Sequence, residues 1–262
     1  MILFLDVLIK PFYIQHICCI FFLIGGIMNM SKLKKIIFFL VVVLFTSDIN
    51  AQAFYYINKN GTRLSKCEYD FIQKISNNDV LENINEVELS IIFEKVSCTS
   101  NILTNDIELF GTEHTTKSKS LNISKSCNGN NCIISTTLKW LRLPTIRSYD
   151  VFGAYLEGTH LTNQNIITYV NDINYNQSKI ENNGFGVSLK LPTAGNSIVI
   201  TQIYNVNKSG IVYSSYQHAT SNISKSSSMK YSISKKEYGN VFLFENSVSA
   251  YYDKMGGVSI SI

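Results

Sequence analysis

Ser197-Ile198-Val199-Ile200-Thr201-Gln202-Ile203-Tyr204-Asn205-Val206 runs, after Asn207, into Lys208-Ser209-Gly210 and then into Ile211-Val212-Tyr213-Ser214-Ser215-Tyr216-Gln217-His218. Both long runs carry no charge and are rich in β-branched and aromatic residues, which fit a pleated, half-buried surface. The short Lys-Ser-Gly triplet between them is a turn signal. The stretch therefore reads as strand, turn, strand. Ile133–Leu143, Tyr149–Glu157, Ile166–Tyr175, Phe185–Leu191, Met229–Ser234, Val241–Glu245 and Val248–Tyr252 have the same character. Asn182-Asn183-Gly184 and Ala194-Gly195-Asn196 punctuate them. Strands at spacings of about 8 to 12 residues describe a sandwich or a barrel. The expected fold class is mostly β: an antiparallel β-sandwich over residues 133–262, preceded by a small α+β segment over 54–98.

Within that first segment, Phe54-Tyr55-Tyr56-Ile57 is an apolar run and Asn60-Gly61 a turn signal. Ser65 and Glu68 have capping-box spacing, and Tyr69, Ile72 and Ile75 recur at three-residue intervals, which predicts a short helix ending at Asn77-Asn78. Val87, Leu89, Ile91 and Phe93 alternate with Glu88, Ser90 and Ile92 and predict a strand. Residues 99–132, rich in Ser, Thr, Asn and Lys, show little apolar periodicity and read as a polar loop or edge region containing a disulfide turn.

Upstream, residues 30–53 have the three-part layout of a signal peptide. Ser31-Lys32-Leu33-Lys34-Lys35 is basic, Ile36 to Phe45 is wholly apolar, and Ala51-Gln52-Ala53 supplies the small-x-small cleavage pattern. The apolar core is about half the ~20 residues that a membrane-spanning helix requires. Residues 1–29 admit two readings. Either translation begins at Met28 or Met30, or the chain carries an extra hydrophobic segment, since Pro11 to Met30 holds no Asp, Glu, Lys or Arg. The expected location is periplasmic or secreted.

Cleavage before Gln52 leaves 211 of the 262 residues, enough for one large domain. The 23 basic and 19 acidic residues fall to 19 and 17 once the four lysines and two aspartates of residues 1–51 are set aside, a net charge of +2. No Lys/Arg cluster suited to phosphate neutralisation remains, so nucleic acid is a poor partner. Cys67, Cys98, Cys127 and Cys132 are an even set in an exported chain and read as two disulfides. Local closure of Cys127 with Cys132 across Asn128-Gly129-Asn130-Asn131, and of Cys67 with Cys98, is the simplest of three pairings. On the loop-entropy model the larger ring contributes roughly 3 to 4 kcal/mol and the smaller about 2. No C-x₂-C pair suggests zinc, and neither a metal nor a cofactor is expected.

Trp140, the single tryptophan, opens Trp140-Leu141-Arg142-Leu143-Pro144-Thr145-Ile146-Arg147-Ser148-Tyr149-Asp150-Val151-Phe152-Gly153, a strand, a proline turn and a second strand. Arg147 and Asp150 either face a ligand or tie the turn as a pair. With Tyr216-Gln217-His218-Ala219 and Tyr251-Tyr252-Asp253-Lys254-Met255-Gly256-Gly257-Val258, the stretch resembles a group of uncharacterised secreted bacterial proteins with these motifs in this order. The similarity runs from about Lys139 to Val258 and more loosely includes Ser65 to Phe71. It implies export and a shared β fold and no particular activity, and the cysteine pairs depart from the pattern.

Three function classes follow. The leading one is a non-enzymatic β-sandwich that works by contact with an extracellular or envelope partner, anchored by exposed tyrosines. A pore-forming toxin would use the low-charge strands between Ser197 and Ser234 to contact a membrane. A secreted hydrolase would set His218 or His160 beside Asp150, Asp253 or Glu245, although no G-x-S-x-G elbow or H-E-x-x-H helix is present. Trp140, Arg147, Asp150, His218 and Asp253 are the candidate functional residues.

Overall fold

The computed structural model describes residues 55–76, 78–94, 107–108, 112–175, 178–235 and 239–262. The signal peptide expected over residues 30–53, residues 1–29 and Cys98 lie outside the described residues. The chain from Phe54 to Ile262 forms one compact unit.

A hairpin of β1 (Tyr55–Ile57) and β2 (Arg63–Ser65) leads into helices α1 (Lys66–Ile75), α2 (Asn78–Asn83) and α3 (Glu86–Ile92). Ser65 caps α1 as its spacing predicts. Its hydroxyl accepts from the Glu68 amide at 3.3 Å while the Glu68 carboxylate accepts from the Ser65 amide at 2.7 Å. The strand predicted over Val87 to Phe93 is instead helix α3. Asn85 and Glu88 form a second capping box, at 2.9 and 3.0 Å, and Leu89 and Ile92, three apart, face inward while Val87 is exposed. The two-residue alternation was real, but the cap decided which period the backbone followed.

Two antiparallel sheets follow. The larger holds β3 (Ile107–Glu108), β4 (Glu113–Thr115), β5 (Lys119–Asn128), β6 (Asn131–Trp140), β8 (Ile167–Val170), β9 (Ile173–Asn174) and β12 (Val199–Asn207). Its order is β3-β5-β6-β12-β8-β9, with β4 also paired to β5. In the smaller sheet β7 (Tyr149–Glu157), β10 (Lys179–Glu181), β11 (Gly184–Lys190), β13 (Ile211–Gln217) and β16 (Val258–Ser261) lie in the order β10-β11-β7-β13-β16. Leu121, Ile134 and Tyr204 of one sheet share a core with Phe152, Phe185 and Val258 of the other, so the architecture is the expected sandwich.

Both outer faces are also covered. Ile133, Tyr169 and Ile203 of the larger sheet pack with Phe71, Ile72 and Leu89 of the helical layer. Val151 of the smaller sheet packs with Tyr231, Ile233 and Phe242 of a further hairpin, β14 (Tyr231–Ile233) and β15 (Phe242–Phe244). Burial on two faces explains why β11 and β12 are almost continuously buried rather than alternating.

Two further expectations change. Lys119–Asn128, read as part of a polar loop or edge, is a ten-residue strand with neighbours on both sides. Leu121 and Ile123 are the aliphatic residues of its inner face, which also buries Lys119, while Ser124 and Ser126 are buried on the other face. Val248–Tyr252 is not a strand: Asn246–Ser249 forms a short helix, α5, and Tyr252 makes a single bridge to Ala219. Another short helix, α4 (Lys225–Ser228), precedes β14. The Cys127–Cys132 disulfide is present and joins directly opposed residues of the β5–β6 hairpin. Gly129 supplies the positive φ, 58°, at the first of its two turn positions. Cys67 is disulfide-bonded too.

Candidate functional site

Four of the five candidate residues converge. Trp140 ends β6, Asp150 is the second residue of β7, His218 follows β13, and Asp253 lies on the segment between α5 and β16. Backbone pairing sets their proximity: β7 and β13 are neighbours, with Tyr216 opposite Phe152, and Asp253 donates its amide to the His218 carbonyl at 2.9 Å. Lys119, which opens β5, stands opposite Trp140 in register.

Asp150 has no exposed surface, and its two oxygens are held from several sides. The Ala219 amide donates to Oδ1 at 2.8 Å, the Tyr216 hydroxyl donates to Oδ2, and His218 Nδ1 lies 3.0 Å from Oδ2 and 3.1 Å from Oδ1. Trp140 Nε1–H donates to the Tyr216 hydroxyl at 3.2 Å, and the His218 ring meets the indole edge-on at 4.8 Å between centroids. A second charged pair sits beside the first. Lys119, 3% exposed, contacts Asp253 Oδ2 through Nζ, which lies 5.1 Å from the Trp140 ring centroid and 5.4 Å from that of Tyr216. Asp253 Oδ1 accepts from the His218 amide at 2.9 Å. Buried charges of this kind persist only when paired and hydrogen-bonded.

Burial pushes the Asp150 carboxyl above the ordinary value, against the opposing pull of His218, Tyr216 and the Ala219 amide. Burial and the adjacent Asp150 carboxylate push the Tyr216 hydroxyl well up. Tyr216 therefore stays a neutral donor to the carboxylate.

Next to the cluster is a pocket of about 840 Å³. Phe242, Phe244 and Tyr252 supply aromatic surface, with Phe244 stacked on Tyr252 at 4.1 Å and 12°. His114, Gln217, Lys235, Asn240, Asp253 and Lys254 bring polar atoms to it. Gly256 lets the imidazole of His114 approach the wall: a Cβ at that position would stand 3.0 Å from His114 Cε1.

Arg147 does not join the site and does not pair with Asp150. Its Nη1 donates to the Pro192 carbonyl at 2.8 Å, tying the turn before β7 to the end of β11. His160 lies elsewhere, 2.6 Å through Nε2 from the Asn207 side-chain nitrogen. Among the described residues exposed tyrosine anchors are few. Tyr55 and Tyr251 are exposed, while Tyr169, Tyr204, Tyr216, Tyr231 and Tyr252 are buried. Among the described residues no group of three or more His, Cys, Asp and Glu could hold a metal ion. Lys119 escaped the sequence reading, although it shares the inward face of β5 with Leu121 and Ile123 at two-residue spacing. A lysine in phase with buried aliphatics is the signal that would have found it.

Fold and site together define a two-sheet antiparallel sandwich with a charged and aromatic knot between its sheets. No protein-family model and no curated protein matches the chain. Among solved structures, the pilus backbone RrgB of Streptococcus pneumoniae matches at 16% identity and a TM-score of 0.25, over 35% of this chain and 25% of that one.

Proposed function

We propose that the protein acts outside the cytoplasm by binding rather than catalysis, and that it takes a saccharide in the pocket beside the Asp150 cluster. The observation that carries this reading is the pocket's make-up: aromatic surface from Phe242, Phe244 and Tyr252, and polar groups around it. A sugar ring has the matching chemistry, an apolar C–H face and a rim of hydroxyls. The paired cysteines at 127 and 132 and the leader-like residues 30–53 support an extracytoplasmic setting. Among the described residues no helix is long and apolar enough to cross a membrane. The low-charge strands that a pore would need, β12 and β13, lie inside the two sheets with partners on both sides. The test is a glycan array followed by calorimetry on the mature protein. Asn240→Ala or Lys254→Ala should weaken binding roughly tenfold, the effect of losing about 1.4 kcal/mol of hydrogen bonding. A folded protein that binds no glycan overturns the reading.

One observation favours a second reading. The His218 Nδ1 to Asp150 contact is how a carboxylate orients a general base. A covalent route of the serine or cysteine type also needs a side-chain nucleophile at Nε2, and among the described residues no hydroxyl or thiol hydrogen-bonds to that atom. Ester or glycoside cleavage abolished by His218→Ala, in a variant that still folds, would favour the hydrolase.

A further inference from the structure

We infer that Lys119 and Asp253 condense into an intramolecular amide that ties the start of β5 to the carboxy-terminal segment. The inference is independent of the saccharide reading and begins from the surroundings of the pair. Lys119 is almost wholly buried, and its Nζ lies over the rings of both Trp140 and Tyr216 while touching Asp253 Oδ2. A charged ammonium held in such a place, against a carboxylate whose side chain is 27% exposed, carries a desolvation penalty that this one partner only partly offsets. A neutral amide removes it.

The two oxygens of Asp253 are placed differently. Oδ1 accepts the His218 backbone amide at 2.9 Å, and Oδ2 faces the lysine. A backbone donor on Oδ1 stabilises the negative charge that builds there when nitrogen adds to Cγ, as in an oxyanion hole. Oδ2 is then the leaving oxygen.

The atoms balance within the pair. One proton passes from the Lys119 ammonium to Oδ2, giving a free amine and a carboxylic acid. The Nζ lone pair forms the new bond to Cγ, the Cγ–Oδ2 bond breaks, and the oxygen departs as water with its own proton and a second one from nitrogen. Nothing is oxidised or reduced, and no co-reactant is needed. The released water has an outlet, because Asp253 also lines the pocket of about 840 Å³. Asp150, His218 and Tyr216, linked by hydrogen bonds, lie beside the pair and can pass protons, and His114, Lys235 and Lys254 share the pocket with Asp253.

Intact mass of the reduced, denatured mature protein reads the bond directly. The wild type should be lighter than its sequence by one water. Lys119→Arg keeps the charge and lacks the nucleophile, so it should have the full sequence mass, as should Asp253→Ala. Digestion of the wild type should release a branched peptide containing both positions. A wild type at full sequence mass overturns the inference whether or not either variant folds, and a mass deficit that persists in Lys119→Arg does so too. Neither result bears on glycan binding.

Discussion

Asp150 illustrates how one side chain can set the pH response of the whole molecule. Burial raises its carboxyl, so the folded protein keeps a proton that the unfolded chain has released. A folded value above the unfolded one gives stability that is complete below about pH 3.9 and is lost as pH rises through the folded value. Tyr216 and His218 face the group directly, and the Lys119–Asp253 pair lies beside it. Asp150→Asn cannot titrate. Its urea midpoint should therefore fall furthest below wild type in acid, with the gap narrowing as pH climbs above about 4. A gap that stays constant across that range would contradict the assignment. Trp140, Asp150, His218 and Asp253 could be singled out from the sequence because they stand in motifs of unusual composition. That Arg147 binds the Pro192 carbonyl instead of Asp150 could not, because the separation of three residues is compatible with both contacts.

At the scale of elements, the helical layer rests on two capping boxes of which only one was recognised. Asn85→Ala removes the side-chain acceptor at the start of α3. It should cost about 1 kcal/mol and lower the melting temperature by roughly 2 to 4 °C, read by thermal circular dichroism. An unchanged melting temperature would mean that α3 is held by Leu89 and Ile92 packing alone. The seven strands from Tyr149–Glu157 to Val241–Glu245 and Ile133–Leu143 were legible to within a few residues, apart from the division of Ile166–Tyr175 into β8 and β9. Their apolar, β-branched runs end at Asn and Gly, whose preferences are local. Strand β5 was not legible, since its inner face mixes Leu121 and Ile123 with Lys119, and its other face buries Ser124 and Ser126. Hydrophobic period fails wherever polar groups are buried together.

At the scale of the whole molecule, β6, β7, β12 and β13 have a strand on each side and lie within layers packed on both faces. Their amides should exchange with solvent most slowly, well behind those of β9 and β10, in a native-state hydrogen exchange measurement. Comparable protection in the edge strands would argue that the sheets do not open from their margins. By itself the sequence determined the β class, the turns, the first helix and the closure of Cys127 with Cys132, because each follows from torsional preference, capping or contact across a few residues. Tertiary structure alone decided that Lys119, Trp140, Asp150, Tyr216, His218 and Asp253 meet. These residues come from strands and segments up to 134 positions apart. Their meeting depends on strand register and on which faces bury together, quantities set by the packing of two sheets rather than by any local run of residues.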